Sequence, residues 1–226
     1  MFGFLRRNPS PSSSSVQGMR DTLFGDMPLD AWPPSGAAAE QEPWRSFVKA
    51  REAIAAGQTA EAIAAWRCIS EMPSLESRHY AQAWHFLRTY GVQPPADKAK
   101  LLLGVVVEVS MHAGVDLLAA YPEHTARYWN YSGKSIVWEH ADQSLDPFID
   151  ALLRSGEQIL RIIGPWEKPR PPVPPVGHMR VNLLAPSGLH LGEGPVDVLS
   201  ADPLAKPAVE AATVLMQQLI ALPQRR

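Results

Sequence analysis

Leu102-Leu103-Gly104-Val105-Val106-Val107-Glu108-Val109 is the stretch on which the fold turns. Branched side chains such as valine crowd the preceding turn of a helix but pack well on a pleated surface. The run is nearly continuous in apolar residues rather than alternating. That pattern predicts a central strand buried on both faces. Downstream, 115–121, 126–131 and 135–140 read as three more strands, with Pro122-Glu123-His124-Thr125 and Ser132-Gly133-Lys134 as the turns between them. Together the four predict an antiparallel meander.

Beyond the meander the period changes from two to between three and four. Leu145, Phe148, Ile149, Leu152, Leu153, Leu160 and Ile163 form one stripe of an amphipathic helix. Ser144 is the expected cap, Pro147 falls in the first turn, and Gly164-Pro165 ends the helix. Residues 165–177, which include Pro-Arg-Pro-Pro-Val-Pro-Pro, read as a semi-rigid connector or as a ligand for a proline-recognition domain. His178–Ala185 and Gly188–Gly192 then form a hairpin turning at Pro186-Ser187-Gly188, and Val196–Leu199 is expected to add an edge strand. A last helix starts at Pro203 or Pro207 and runs to Leu222. Four strands, a helix, two or three strands and a helix are satisfied by an antiparallel sheet with helices on one face. This element order is similar to that of profilin-like and roadblock-like domains, a likeness of fold that implies no activity.

Upstream of the sheet three helices are expected. Trp44, Phe47, Val48, Arg51 and Ile54 recur at helical spacing, and Gly57 closes that helix. Thr59 caps a second, whose stripe is Ala62, Ile63, Trp66 and Ile69, and Pro73 stops it. Ser74 caps a third, with Tyr80, Trp84 and Leu87 on one face and Gly91 at its close. Ala50, Gly57, Ala62, Trp66 and Pro73 give the first two helices, about residues 44–73, a pattern that resembles one tetratricopeptide repeat. The resemblance implies a partner-binding helical hairpin. Its early aromatic position is displaced to Trp44, and no second copy follows, although such arrays need about three repeats to stand alone.

The fold class expected is α+β: an N-terminal helical hairpin module of three helices packed on an antiparallel sheet domain with helices on one face. Residues 1–42 form a flexible tail and irregular arm, 43–93 the helical module and 94–226 the antiparallel domain. Within the arm, 8–15 is a Ser/Pro tether. Residues 16–43 are aperiodic yet carry Leu23, Phe24, Met27, Leu29 and Trp32. That segment either covers apolar surface of its own domain or docks on a partner.

Composition narrows the function classes. The 226 residues carry a formal net charge of −2 with both signs interspersed, so the basic stripe of a nucleic-acid-binding protein is missing. The single cysteine, Cys68, cannot pair within the chain and fits a reducing compartment. No apolar run approaches the ~18 residues of a membrane span, so stable membrane insertion is not expected. Met1–Leu5 is too short for a secretory signal, and Arg6-Arg7 follow it instead of preceding it. Met1–Arg7 could at most attach marginally to a membrane surface. The expected location is the cytoplasm.

No nucleotide-binding, nucleophile-elbow or zinc-protease motif occurs. One cysteine and seven scattered histidines give no expectation of a metal centre or cofactor. The weak catalytic candidates are Glu108, Ser187, His190 and Glu193. Glu108 lies among valines, where an unpaired carboxylate is costly. Arg127 or Lys134 is its expected partner, with His112 and Asp116 as possible members of a Glu–His–Asp cluster. Ser187, His190 and Glu193 fall within Pro186–Gly194, a stretch holding a serine, a histidine and a carboxylate between three glycines. Strand alternation makes His190 and Glu193 point apart. In Tyr128-Trp129-Asn130-Tyr131 the aromatics alternate between faces, so an outer pair is either covered or a partner surface. Phe24, Trp32, Trp129 and Tyr131 are the partner-binding candidates. The leading expectation is a non-catalytic protein-interaction or scaffold protein, with self-association as one form of that contact. The alternative is a small-molecule-binding protein or hydrolase with its site near the 186–194 hairpin.

Overall fold

The structure is a computed structural model and describes residues 13–33 and 40–222, the side chains of 13–15 excepted. Met1–Arg7 and most of the Ser/Pro tether lie outside the described residues. The elements, in chain order, are α1 (Ser13–Phe24), α2 (Trp44–Ala55), α3 (Thr59–Glu71), α4 (Ser77–Thr89), β1 (Gly104–Met111), β2 (Gly114–Ala120), β3 (Ala126–Trp129), β4 (Ser135–Trp138), α5 (Asp146–Ile162), β5 (His178–Ala185), β6 (Gly188–Pro195), α6 (Val196–Ala201) and α7 (Lys206–Ala221).

The strands pair antiparallel into one six-stranded sheet among the described residues, in the order β4-β3-β2-β1-β5-β6. The valine run is central, with Val105 opposite Ala120 on one side and Leu183 on the other. Alternation sends Val105 and Val107 into one core with Ile149, Leu152, Leu215 and Leu219 of α5 and α7. Val106 goes into a second core with Phe47, Trp66, Phe86 and Leu87 of the helical module. The sheet is therefore roofed on one face by α5 and α7 and on the other by α1–α4, which explains why its central strand is apolar on both sides. α5 comes so close that a Cβ on Gly156 would lie 2.6 Å from Val105 Cγ2.

The structure corrects five local expectations. Residues 16–24 of the supposed irregular arm are part of helix α1. Its inner side holds Arg20, Leu23 and Phe24, and an arginine in the stripe hides the apolar period. Ser74 does not cap α4: it sits at φ +59°, and the helix starts at Ser77. There Glu123, from the β2–β3 turn, accepts from Ser77 N (3.1 Å) and Ser77 Oγ (2.6 Å), so the sheet supplies the cap. Leu145, not Ser144, occupies the cap position of α5, and Gln58, not Thr59, that of α3. Val196–Leu199 is not an edge strand, because strand pairing stops at Pro195 and the chain turns into α6. Gly57 and Gly91, at φ +75° and +79°, close α2 and α4 as the sequence indicates.

Candidate small-molecule cleft at the β5–β6 hairpin

The β5–β6 hairpin turns through Pro186-Ser187, with Ala185 paired to Gly188. Gly188 has φ +124°, a conformation that side chains avoid. Three residues past Ser187, the buried His190 stands opposite Leu183. Ser187 Oγ lies 2.9 Å from His190 Nε2, and His190 Nδ1 lies 3.2 Å from the Ile163 carbonyl just after α5. A carbonyl only accepts, so Nδ1 carries the hydrogen. Burial holds the His190 pKa below its ordinary value, although the Ile163 carbonyl opposes that shift, and the ring is neutral at pH 7. Nε2 is then a bare acceptor and the Ser187 hydroxyl donates to it. This is the protonation pattern of a serine beside a general base, with the base oriented from its far side.

Ser187 lines a cleft of about 460 Å³ between the helical module, the β5–β6 hairpin and the 165–170 segment. Arg88 of α4 is its inner cation. Arg88 Nη1 donates to the Pro186 carbonyl at 2.7 Å, beside Ser187. Burial pushes the Arg88 pKa down to about 10, which leaves it charged at neutral pH. Among the described residues it has no carboxylate partner. His85, one turn earlier, has its pKa lowered by burial. Arg170 is neutralised by Asp21 and by Asp26, the latter at 2.7 Å, and its guanidinium lies 4.6 Å from the Phe24 ring centre. Glu167 and Lys168 stand at the exposed rim.

Of the catalytic candidates, only Ser187 and His190 touch each other directly, while Glu108 and Glu193 share Arg180. Glu193 turns away and accepts from Arg180 Nε at 2.8 Å. Glu108 is fully buried, and its partners are neither Arg127 nor Lys134. Arg20 Nε reaches it at 2.7 Å, Arg180 Nη1 at 3.0 Å and Asn182 Nδ2 at 3.2 Å. Register explains the difference: Arg180 stands directly across from Glu108 on β5, whereas Arg127 lies two strands away and pairs with Glu139. The Glu–His–Asp cluster does not assemble. Asp116 accepts from Tyr128 Oη and from Tyr131 N, both at 2.8 Å, and His112 is exposed.

The partner candidates fare unevenly. Phe24 and Trp32 are buried in the chain's own core, where Trp32 packs edge-on to Phe47. Tyr128 is covered by the α5–α7 side and Trp129 is half-buried against the helical module. Tyr131 is exposed. The sequence offered no sign of Arg88 or of the Ile163 carbonyl, because neither lies near Ser187 in the chain. No helix of the described residues is long and apolar enough to cross a membrane. Comparison with family models, curated proteins and solved structures gives no match.

Proposed function

We propose that this protein takes a small molecule bearing a carboxylate or phosphate into the cleft beside Ser187 and cleaves an ester bond in it. The observation that carries this reading is the 2.9 Å approach of the cleft-lining Ser187 Oγ to the buried, neutral His190 behind it. Arg88 holds the anionic group of the substrate. Ser187 Oγ attacks the ester carbonyl as its proton passes to His190 Nε2. The alcohol leaves with that proton, and water, deprotonated by the same imidazole, releases the acid and restores the serine. The Ile163 carbonyl holds the imidazole in place, a role given to a carboxylate in the more familiar triads.

A fluorophosphonate probe, which reacts with activated serines, tests this on the intact chain. Modification of Ser187, mapped by mass spectrometry and abolished in Ser187→Ala and His190→Gln, is the expected result. An unmodified wild-type protein, or equal modification of His190→Gln, rejects the reading.

A second reading rests on β4. It is an outer strand of the sheet, with Val137 half-exposed and Tyr131 exposed beside it. An open edge strand can add the strand of a partner or of a second copy. The tetratricopeptide-like α2–α3 pair supports the same protein-contact role, and exposed, unpaired Cys68 supports a reducing location such as the cytoplasm. Light scattering on a size-exclusion column decides the self-association part: a strict monomer at high concentration removes it.

A further inference from the structure

We propose that His124, His140, Asp146 and Asp150 form a binding site for one divalent transition-metal ion of the zinc class. Three separate segments bring them together. His124 belongs to the β2–β3 turn, His140 follows β4, and the two aspartates lie one turn apart at the start of α5. A ligand atom from each of His124, His140 and Asp146 lies within 4.8 Å of the other two. His124 Nε2 is 3.0 Å from Asp150 Oδ1, and the two imidazole centres are 5.2 Å apart. His140 Nε2 lies 3.1 Å from Asp146 Oδ1 and 3.3 Å from Oδ2, and hydrogen-bonds only Oδ2. Asp146 Oδ1 is left buried without a hydrogen-bond partner, although its carboxylate has a polar ring on one side.

The donor set selects the ion. Two imidazoles and carboxylate oxygens suit zinc and its neighbours, whereas magnesium and calcium take oxygen ligands alone. Bonds of about 2.0–2.2 Å to a tetrahedral zinc place ligand atoms about 3.3–3.6 Å apart. The two histidine–aspartate pairs already stand at 3.0 and 3.1 Å. Small rotations of the half-exposed rings close the rest of the site. An ion there would fasten the β2–β3 turn and the end of β4 to the start of α5. The dispersed histidines gave no such signal in sequence, because their spacing of sixteen and the intervening strands hide the convergence.

The test uses the full chain without a purification tag, stripped with EDTA, and titrated with zinc chloride by calorimetry. One zinc per chain at micromolar affinity or tighter is expected, together with a higher melting temperature in zinc and none in magnesium. Cobalt substitution should give the strong visible bands of a four-coordinate nitrogen–oxygen site. The double variant His124→Gln/His140→Gln should weaken zinc binding by at least about 100-fold, because loss of even an outer-shell partner costs about 10–100-fold. The exposed His112→Gln should bind as wild type. Should the double variant lose its fold by circular dichroism, protection of His124 and His140 from diethyl pyrocarbonate by zinc in the wild type gives the same answer. Binding only in the millimolar range, undiminished binding by the folded double variant, or absence of protection overturns the proposal.

Discussion

Arg20 of α1 and Glu108 of β1 are 88 positions apart and meet at 2.7 Å, with 3% and 0% of their side chains exposed. Arg180 approaches the other carboxylate oxygen, so one buried anion holds two arginines from opposite sides. Such a group stabilises little against an apolar substitute, but removing one partner strands a charge in the interior. Glu108→Gln leaves both guanidiniums without their shared carboxylate and is expected to cost about 3–5 kcal/mol. Arg20→Met should cost less, because Glu108 keeps Arg180 and Asn182. Urea denaturation compares the two, and a Glu108→Gln midpoint equal to wild type would contradict this account.

Two glycine-to-alanine changes should move in opposite directions. At Gly156 a Cβ meets Val105 Cγ2 at 2.6 Å and Leu183 Cδ2 at 3.2 Å. The overpacking cost of about 1–3 kcal/mol exceeds the helix-propensity gain of about 1 kcal/mol. At Gly18, in α1, a Cβ finds nothing within 4 Å, so Gly18→Ala is expected to stabilise by about 0.5–1 kcal/mol. Thermal denaturation of both variants checks the sign.

Acid should weaken the fold before the carboxylates titrate. Burial pushes the His79 pKa from 6.5 down to about 4, against an opposing pull from the Glu76 carboxylate. Its ring packs edge-on to Trp44, and neither ring nitrogen has a hydrogen-bond partner. Between pH 6.5 and 4 the unfolded chain binds a proton at this residue that the folded chain does not. Stability is full above that window and falls as pH descends through it, by up to about 3 kcal/mol from His79. His85 and His190 shift in the same direction. His79→Phe removes one proton's worth of slope from a plot of unfolding free energy against pH. An unchanged slope would show that His79 is not the group responsible.

Arg170 latches residues 165–177 onto α1. Arg170→Ala loses the bonds to Asp21 and Asp26 and the stacking on Phe24. Charged hydrogen bonds of about 1.5–3 kcal/mol make opening of the segment at least about tenfold more frequent. Chymotrypsin should then cut after Trp166 correspondingly faster. Arg170→Lys should not restore resistance, because a point charge cannot reach both carboxylates and lie flat on the ring.

The sheet was legible because its signals are local. Continuous valines at 105–107, the Pro122 turn and the Gly133 turn each act within a few residues, and His178–Ala185 matches the predicted strand to the residue. What failed depends on distant partners. Ser74 looked like a cap because the true one, Glu123, comes from another element. Helix α1 was unreadable because the residue that seats it is an arginine whose counter-ion lies on β1. At the cleft, the turn was readable but the hydrogen bond was not. Simple alternation separates Ser187 from the strand face of His190, and only the turn's actual path returns the hydroxyl to the ring.

The order of synthesis gives α1 an unusual place. It leaves the ribosome ahead of every other described element and can settle early on α4, where Leu23 and Phe24 join the core. Its Arg20 and Asp21, however, find partners in Glu108, the carbonyl of Pro171 and Arg170, more than eighty codons later. A nascent chain halted before residue 170 should therefore carry α1 seated but unlatched, its polar side open until the proline strap arrives.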